Sequence, residues 1–412
     1  MNEQKKPTSK KVAIVGRGTA SLLTAGILAS KGHQVVIFHS PDKKALTIGE
    51  STTPTIAQVL RENMGLHVGE LIRKGIVSPK LGVNFIGWGE VNEQFIHSFA
   101  ASTESPSPYS FHIENELFNP YIHDHLKEYF NVTYVEKNVE SHHIDGLTTI
   151  LVTDDGDNYY FDFVVFCTGW CDDAEYIEPT MYTVDSAILY QSELTSNSLE
   201  DTIYTQHLAT PDGWQFGLPF PNKKITKHGY LYNRSLSSKE EIIKTLNLSE
   251  GDYNHIEWKP RHSKRLLQSP SVAYNGNRLF FYEPLQALSL HYYALFARNI
   301  AEYLDNPTLE HMYTINKFYI DTIWEYQVSL AMHYAFGSKY QTEFWQFMHK
   351  QALNIISNIP LADGEVFSDF IKGDIFLGTH HSRIGAFSWR DLTYLLGGLM
   401  GQNIPNKERL FE

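Results

Sequence analysis

The stretch that decides the fold is residues 11–38, KVAIVGRGTASLLTAGILASKGHQVVIF. Its first five residues form a short apolar run typical of a buried strand, and residues 19–31 place Ala, Leu and Ile at helical spacing. Gly32 ends the helical pattern, and the β-branched residues 34–38 predict a second strand. The order strand, glycine turn, helix, strand predicts a βαβ unit with parallel strands.

The turn after the first strand stands where a dinucleotide-binding fingerprint is expected. Gly16 permits the tight turn, and Gly18 lets the backbone approach a pyrophosphate. Ser21 stands at the position of a third glycine, which governs only the packing of the helix on the strand. The amino terminus of the helix offers free N–H groups and a partial positive charge to phosphates. We therefore favour nucleotide binding over an ordinary βα turn with two structural glycines.

The second strand of such a unit usually ends in an acidic residue that accepts the ribose hydroxyl groups. Here Phe38 is followed by His39. A neutral imidazole can accept or donate one such bond, so His39 is a candidate ribose ligand. A solvated loop histidine is an alternative of almost equal weight.

A later apolar run, residues 161–167, ends in Thr168 and Gly169. It resembles the strand and small-residue turn that return beside the first βαβ unit in FAD-dependent monooxygenase-like flavoproteins. Two such elements favour FAD over NAD. Just before this run, the turn residues 154–157 separate two strand-like segments and predict a hairpin.

The sequence thus predicts an α/β fold with a Rossmann-type FAD-binding module over residues 1–305. Segments inserted at about 85–150 and 180–260 are expected to form a substrate sheet. Beyond residue 310 the sequence has long amphipathic stretches, many aromatic side chains and few turn signals. Residues 306–412 are therefore predicted to form a mainly helical region that covers the substrate.

Charge and cysteine usage narrow the class of protein. The 412 residues include 34 Lys and Arg against 47 Asp and Glu, a net charge of −13, which argues against a nucleic-acid partner. The chain has two cysteines, Cys167 and Cys171, and one disulfide bond would not stabilise so long a chain. This cysteine usage indicates a reducing compartment. No apolar run approaches the ~18 residues of a membrane span, and no secretory signal follows the polar start. We expect a soluble cytoplasmic protein, with a homo-oligomer left open.

The 19 histidines raise the question of a metal site. His123 and His125 lie two residues apart, and on one face of a strand they would be able to bind a metal. Without a third ligand, a solvated polar segment is the favoured explanation. The adjacent pairs His142-His143 and His380-His381 point in different directions. We predict no metal site.

Six stretches resemble, in the same order, motifs of the tryptophan-halogenase family of flavin-dependent halogenases, from about residue 10 to at least residue 345. GRGTAS (16–21) is similar to the family's G-x-G-T-A-G turn, and IGESTTP (48–54) is similar to its flavin-covering [IV]-G-E-[AS]-T-x-P loop. SPKLGVNF (78–85) with Trp88 is similar to the catalytic-lysine segment, and WQFGLP (214–219) is similar to the W-x-W-x-I-P box. EPLQALSLH (283–291) is similar to the E-P-L-E-S-T-G-I-H stretch, and Asn316, Tyr319, His333-Tyr334 and TEFW (342–345) are similar to a helical N-x-x-Y…H-Y…T-x-F-W pattern.

The resemblance implies a two-stage reaction. Reduced FAD, supplied by a separate flavin reductase, and O₂ oxidise a halide to hypohalous acid. This acid travels through a tunnel to Lys80, which delivers an electrophilic halogen to an electron-rich small aromatic substrate. An ammonium can polarise hypohalous acid, whereas a neutral amine can hold the halogen as a haloamine. Considered alone, Lys80 would be a solvated surface lysine.

The resemblance also assigns roles to individual residues. For FAD these are Gly16, Gly18, Thr19, Ala20, Ser21, Ile48, Gly49, Glu50, Ser51, Thr52 and Leu290, to which the candidate ribose ligand His39 is added. Two successive backbone amides, those of Leu288 and Ser289, are implied for the halide, which is chloride, bromide or iodide. The side chains implied for the tunnel, where they would keep the flavin from acting on organic substrate, are Trp214, Phe216 and Pro219. Considered without the rest of the pattern, Trp214 and Phe216 are equally well explained as two aromatic residues of a core strand.

Two departures from the family pattern concern the substrate. Gln286 stands where the family has a glutamate that assists deprotonation of the substrate, and an amide cannot accept that proton. This favours a phenol-like or otherwise activated ring over tryptophan. The segment also lacks the family's G-D-A step, and Glu283 is a candidate for that acidic role near the flavin. The alternatives are a flavin-dependent aromatic hydroxylase that uses no halide and a non-enzymatic flavin-binding protein.

Overall fold

The computed structural model describes residues 9–43, 49–89, 94–101, 109–171, 175–196, 198–356, 383–384 and 386–401. The helices in these ranges are α1 Thr19–Ser30, α2 Pro54–Met64, α3 Val68–Arg73, α4 Asn115–Tyr129, α5 Leu199–Ile203, α6 Lys239–Leu246, α7 Leu288–Asp305, α8 Leu309–Tyr334, α9 Glu343–Ile356 and α10 Trp389–Leu399. None of them is long and apolar enough to cross a bilayer.

The strands of the described ranges, in chain order, are β1 Lys11–Val15, β2 Gln34–Phe38, β3 Val77–Lys80, β4 Gly82–Ile86, β5 Gln94–Ser98, β6 Ser110–Ile113, β7 Thr133–Val135, β8 Val139–Asp145, β9 Thr148–Thr153, β10 Asn158–Phe161, β11 Phe163–Phe166, β12 Tyr176–Ile177, β13 Ser186–Glu193, β14 Tyr204–Thr210, β15 Gly213–Phe220, β16 Ile225–Tyr232, β17 Tyr253–Glu257, β18 Arg261–Ser263, β19 Leu267–Ser269, β20 Val272–Tyr274, β21 Phe280–Phe281, β22 Arg383–Ile384 and β23 Phe387–Ser388.

A six-stranded sheet contains the βαβ unit. Its order is β19-β20-β11-β1-β2-β7, and β1 pairs in parallel with β2 on one side and with β11 on the other. The predicted strand–helix–strand unit and the return of the strand before Thr168 are therefore confirmed. The interior of β1 is apolar and fully buried, as expected of a strand covered on both faces. The predicted hairpin is also present, because β9 and β10 pair antiparallel across residues 154–157.

A second sheet has seven strands, in the order β17-β13-β16-β15-β14-β4-β5. Its strands are antiparallel except for the β14–β4 pair, which is parallel. A short two-stranded ladder, β3 with β6, pairs Lys80 with Ser110 and Ser78 with His112. These two sheets carry Lys80, His112, Thr205 and His207 of the candidate site.

The described part of the C-terminal region is mainly helical, as predicted. Helices α8 and α9 pack against each other, and β22 and β23 form a small hairpin before α10. Fully buried aromatic rings pack in this region: Trp345 lies 5.1 Å from Trp88, which follows β4, and 5.8 Å from Tyr334 of α8, measured between ring centroids. Such large aromatic contacts dominate core packing. The indole of Trp345 also donates to the carbonyl oxygen of Thr210 on β14 at 2.7 Å.

The segment with His123 and His125 is helical, so the expectation that both histidines share one face of a strand is wrong. Phe118, Ile122 and Leu126 are buried at helical spacing in α4, and their burial outweighs the local polar pattern. The ring of His125 instead lies 2.7 Å from the carbonyl oxygen of Met64. Within the described residues no cluster of His, Cys, Asp and Glu can hold a metal ion, and His380 and His381 lie outside them.

Candidate active site

One cavity of about 930 Å³ is bounded by residues of both large sheets. It is lined by the glycine turn after β1 and by Ser51, Thr205, His207 and Phe216. Although the chain is acidic overall, four cationic side chains among the described residues line the cavity: Arg17, Lys43, Lys137 and Arg278. Such a cavity fits an anionic dinucleotide.

The glycine turn has the geometry that a pyrophosphate needs. Gly16 has a φ of +131°, and a Cβ there would lie 2.8 Å from the carbonyl oxygen of Cys167, so only glycine fits. A Cβ on Gly18 would meet no atom within 4 Å, because this residue faces open space. Thr19 and Ala20 begin α1 and line the cavity, whereas Ser21 is buried behind them. The residues present therefore fit a bound FAD.

His39 lies on the cavity wall with a defined tautomer. The Arg17 guanidinium lies 3.3 Å from its Nε2, and arginine can only donate, so Nε2 is the acceptor and Nδ1 holds the proton. Burial, with the nearby charge of Arg17, lowers the pKa of His39. A Glu136 carboxylate oxygen stands 3.6 Å from Nε2. An imidazole thus occupies the usual place of the ribose-binding acid, with its Nδ1 buried and without a hydrogen-bond partner among the described residues.

The loop before α2 forms part of the cavity wall, although Ile48 lies outside the described residues. Gly49 has a φ of +82°, and Gly49, Glu50 and Ser51 line the cavity. Both carboxylate oxygens of Glu50 accept from the Lys227 amine, at 2.8 and 2.9 Å. Burial raises the pKa of Glu50, and Lys227 opposes this effect. The hydroxyl of Thr52 is buried and donates to the carbonyl oxygen of Phe111 at 2.6 Å, which fixes the loop.

Lys80 is completely buried and is not a solvated surface lysine. Its amine donates to the Ser51 hydroxyl at 2.9 Å and to the Thr52 carbonyl oxygen at 3.0 Å. Burial lowers the pKa of Lys80 from 10.5 to about 7. Lys80 does not itself line the cavity, but Ser51 does. The amine therefore stands one hydrogen bond behind the cavity wall, with both protonation states populated near neutral pH.

Gln286 lies between two buried histidines. Its side-chain nitrogen is 3.1 Å from Nδ1 of His97 and 3.2 Å from Nε2 of His333. Nδ1 of His333 lies 2.7 Å from the carbonyl oxygen of Ser329 and must donate to it, so Nε2 is free to accept from the amide. Burial lowers the pKa of His333 to about 3. The His333 imidazole is thus neutral beside the amide.

The amino terminus of α7 meets the same cavity. Leu288 and Ser289 are its first two residues, and their N–H groups have no partner within the helix. Ser289 and Leu290 line the cavity, whereas the Leu288 side chain is buried behind it. The left-handed backbone falls on Gln286 and Ala287, with φ of 59° and 58°, and not on the pair of amides. An 18-residue helix thus directs its positive end at the cavity, as an anion site requires.

Of the three side chains expected in the tunnel, only Phe216 lines the cavity. Trp214 is fully buried behind it, with its ring centroid 4.8 Å from that of His207. Pro219 does not reach the cavity, because side chains alternate along β15 and Leu218 takes the cavity face beside Phe216. Trp214 and Pro219 therefore do not line this cavity, and their place in a tunnel towards Lys80 stays a prediction.

Glu283 is fully buried and does not line the cavity. The Tyr334 hydroxyl donates to its two carboxylate oxygens at 3.0 and 3.2 Å. Burial raises its pKa to about 7. These hydrogen bonds hold Glu283, at the start of the segment that leads to α7, against α8. The neighbouring Pro284 lines the cavity instead.

Sequence reasoning missed three polar side chains beside Lys80. Thr205 and His207 lie on β14, and His112 lies on β6. The charge of Lys80 adds to burial in holding the pKa of both histidines well below the usual value. The only signal available was the alternation of polar residues along β14, which is equally typical of a solvated strand face.

Residues 11–107 and 100–360 match the family model described as tryptophan halogenase. Tryptophan 7-halogenase KtzQ of Kutzneria sp. (strain 744) is 20% identical over 440 residues, which cover 86% of this chain and 80% of that protein. Tryptophan 7-halogenase RebH of Lentzea aerocolonigenes is 21% identical over 420 residues, which cover 82% of this chain and 78% of that protein.

Solved structures share the fold at low sequence identity. A tryptophan halogenase from Shewanella frigidimarina NCIMB 400 superposes with a TM-score of 0.79 at 18% identity, covering 98% of this chain and 92% of its own. Xcc4156, a flavin-dependent halogenase from Xanthomonas campestris, gives 0.79 at 17% identity, covering 95% and 89%. The predicted fold class, a Rossmann-type FAD-binding domain with a mainly helical C-terminal region, is confirmed.

Proposed function

Because the chain belongs to the tryptophan halogenase family and is therefore a flavin-dependent halogenase, we propose that it halogenates a small, electron-rich aromatic ring through Lys80. The observation that carries this proposal is the position of the Lys80 amine, fully buried and one hydrogen bond behind the wall of the nucleotide cavity. Reduced FAD and O₂ supply the oxidising power that converts a halide into hypohalous acid. A separate flavin reductase would supply the reduced FAD.

The residues that would hold the dinucleotide are those of the cavity wall. The amino terminus of α1 binds the pyrophosphate, with Gly16 and Gly18 allowing close approach. His39 would lie beside the ribose as part of the cavity wall. Glu50 and Ser51 would lie near the flavin ring, and the ion pair of Glu50 with Lys227 restrains their loop. Leu290 would add apolar contact.

The halide would bind at the amino terminus of α7. The backbone amides of Leu288 and Ser289 donate to the anion, and the partial positive charge of the helix adds to the attraction. Because backbone groups make these contacts, the change from glycine to Ser289 does not remove the site. Phe216 and Leu218 exclude the organic substrate from the same space by bulk.

Lys80 would act on hypohalous acid in one of two protonation states. As an ammonium it donates a hydrogen bond to the acid, and as a neutral amine it takes the halogen from oxygen. Its pKa of about 7 makes both states accessible. Ser51 and Thr52 orient the amine by accepting two of its three protons, which leaves one position for the reaction.

The substrate class follows from Gln286. Electrophilic substitution replaces a ring hydrogen by halogen, and the ring must then lose a proton. Gln286 cannot accept that proton, and its neighbours His97 and His333 are engaged with the amide. A phenol loses its own hydroxyl proton during the reaction, so we propose a phenol-like substrate in preference to tryptophan.

The domain division is part of the same proposal. Residues 1–305 form the FAD-binding module, with inserted sheet segments at about 85–150 and 180–260. Residues 306–412 cover the substrate.

The test is turnover of phenol and indole with reductase, FAD and chloride, bromide or iodide in turn. We expect halogenated phenol from the wild type and none from Lys80→Ala, while hypohalous acid, detected by a thiol or amine trap, still forms in the variant. Full activity in Lys80→Ala would contradict the role of the lysine. Hydroxylated product at an equal rate without halide would show an aromatic hydroxylase instead.

A further inference from the structure

We propose that Ser51, Thr205 and His112 form a proton relay through which Lys80 loses and regains a proton. The inference rests on the proposed function of Lys80 and adds three residues that act through it. It concerns how a lysine without solvent contact changes its protonation state. None of the three residues has to touch the aromatic substrate, so they are positioning residues.

The relay is a continuous line of short contacts. The Lys80 amine lies 2.9 Å from the Ser51 hydroxyl, which is 3.3 Å from the Thr205 hydroxyl. The Thr205 hydroxyl is 2.8 Å from Nε2 of His112. All three heavy-atom distances are in or near the range of hydrogen bonds.

The chemistry of the groups gives the line a direction. An ammonium has no lone pair, so the Ser51 oxygen must accept from Lys80. The serine proton is then free to be donated to Thr205, and the threonine proton to Nε2 of His112. In this arrangement each hydroxyl accepts from the group before it and donates to the group after it. Such an arrangement carries a proton away from Lys80 without any side chain moving.

The backbone holds the line in place. Ser51 forms an isolated β-bridge with His112, so the two residues lie opposite each other. Lys80 and His112 lie on the paired strands β3 and β6. Thr205 lies on β14, whose register with β4 is fixed by parallel pairing. Residues on paired strands are held more precisely than residues on loops.

Lys80 needs such a route because it is cut off from water. Its second partner, the Thr52 carbonyl oxygen, has no proton to pass on. In addition to burial, the charge of Lys80 lowers the pKa of two titratable side chains, His112 and His207. The nearest loop carboxylate, that of Glu50, is held by Lys227. Within the described residues no carboxylate forms an ion pair with Lys80, and Ser51 is its one partner able to relay a proton.

The step is a balanced proton transfer. The N–H bond of Lys80 breaks as an O–H bond forms on Ser51, the serine proton passes to Thr205, and the threonine proton passes to Nε2 of His112. The positive charge moves from Lys80 to His112, and no oxidant or reductant takes part. Burial first, and the charge of Lys80 second, hold the pKa of His112 well below its usual value, and only the second cause disappears when Lys80 becomes neutral. His112 therefore holds the proton only transiently. The reverse steps recharge Lys80 after halogen transfer.

The test compares two substitutions of Thr205 that differ by one hydroxyl group. Thr205→Val has nearly the same shape and cannot relay a proton, whereas Thr205→Ser keeps the hydroxyl. Phenol bromination would be measured with reductase and FAD, from pH 6 to 9, in H₂O and D₂O. We expect Thr205→Val to lower kcat by about tenfold or more, as removal of a proton-transfer group does. KM for phenol and FAD affinity should stay within about twofold, and Thr205→Ser should restore the rate and the pH profile.

His112→Leu provides a second break in the relay at a side chain that does not line the cavity, and it replaces Thr205→Val if that variant fails to bind FAD. Equal kcat, equal pH profile and equal solvent isotope effect in Thr205→Val and Thr205→Ser would overturn the relay. Lys80→Ala separates the two proposals: if it remains fully active, the proposed role of Lys80 fails, and if only the relay variants behave as wild type, the relay alone fails.

Discussion

The side-chain nitrogen of Gln286 lies 3.2 Å from Nε2 of His333. Because the other ring nitrogen of His333 donates to the Ser329 carbonyl oxygen, Nε2 of the neutral imidazole accepts a hydrogen bond from the amide. His97 accepts from the same nitrogen at 3.1 Å. A glutamine at this position therefore donates hydrogen bonds to two buried histidines. A carboxylate there has no proton to donate and would leave both acceptors without a partner.

Gln286→Glu should change the substrate preference. The new carboxylate would draw protons onto His97 or His333, because a buried charge needs a partner, and it would offer a base to the ring intermediate. We expect indole halogenation to rise severalfold relative to phenol halogenation, measured by chromatography of the two products. Gln286→Met removes the amide without adding a base and is the control. An unchanged ratio of the two products in Gln286→Glu would contradict the proposed substrate class.

Lys80→Met should stabilise the protein, and the gain should shrink as the pH rises. The folded pKa of Lys80 is about 7, below the unfolded value of 10.5, so the unfolded chain binds more protons between these values. Wild-type stability therefore rises from pH 7 towards pH 10.5. The difference in free energy of unfolding between variant and wild type should fall by roughly 2 kcal/mol between pH 7 and pH 9. Urea unfolding at both pH values measures it, and a pH-independent difference would argue against the lowered pKa.

Substitutions of the two glycines of the first turn should separate folding from cofactor binding. A Cβ on Gly18 meets open space, so Gly18→Ala should change the stability of the cofactor-free protein by no more than about 1 kcal/mol. The same methyl group would occupy the space of the pyrophosphate, and we expect FAD affinity to fall by more than about tenfold, a cost of about 1.4 kcal/mol. Flavin fluorescence and urea unfolding measure the two quantities. Gly16→Ala should lower both the stability of the cofactor-free protein and the affinity for FAD, because its Cβ would lie 2.8 Å from a backbone oxygen.

Gly229→Ala should push the Phe216 ring towards the flavin cavity. The two residues are opposite each other on paired strands, and a Cβ on Gly229 would lie 2.3 Å from two ring carbons of Phe216. We expect a loss of about 1–3 kcal/mol in the free energy of unfolding, as for other overpacked sites, together with weaker FAD binding.

The double variant Gly229→Ala with Phe216→Leu should recover most of the lost stability, because the smaller side chain leaves room for the methyl group. Gly217→Ala is the matched control on the neighbouring strand: its Cβ would meet its nearest neighbour at 3.4 Å, an ordinary contact. If the double variant is no more stable than Gly229→Ala alone, the loss of stability does not come from a clash between the new methyl group and the Phe216 ring.

Local sequence patterns were sufficient for much of the fold. The apolar run at Val12 to Val15, the glycine turn and the helical spacing after Thr19 define one βαβ unit, and each of these signals lies within a dozen residues. The same kind of reasoning failed at His123 and His125, where spacing suggested a strand. The burial of Phe118, Ile122 and Leu126 makes that segment a helix, and this burial depends on the elements that pack against it.

By itself, the sequence determined the nucleotide-binding turn and the order of the motifs that contain Lys80 and Gln286, because these depend on residues adjacent in the chain. Only the tertiary structure decided that Lys80 is buried and that Gln286 contacts His97 and His333. It also brought Thr205 and His112 into one line with Ser51. Protonation states depend on the solvent and charge around each group, and those surroundings come from segments up to 236 positions apart (333 − 97), which no local pattern encodes.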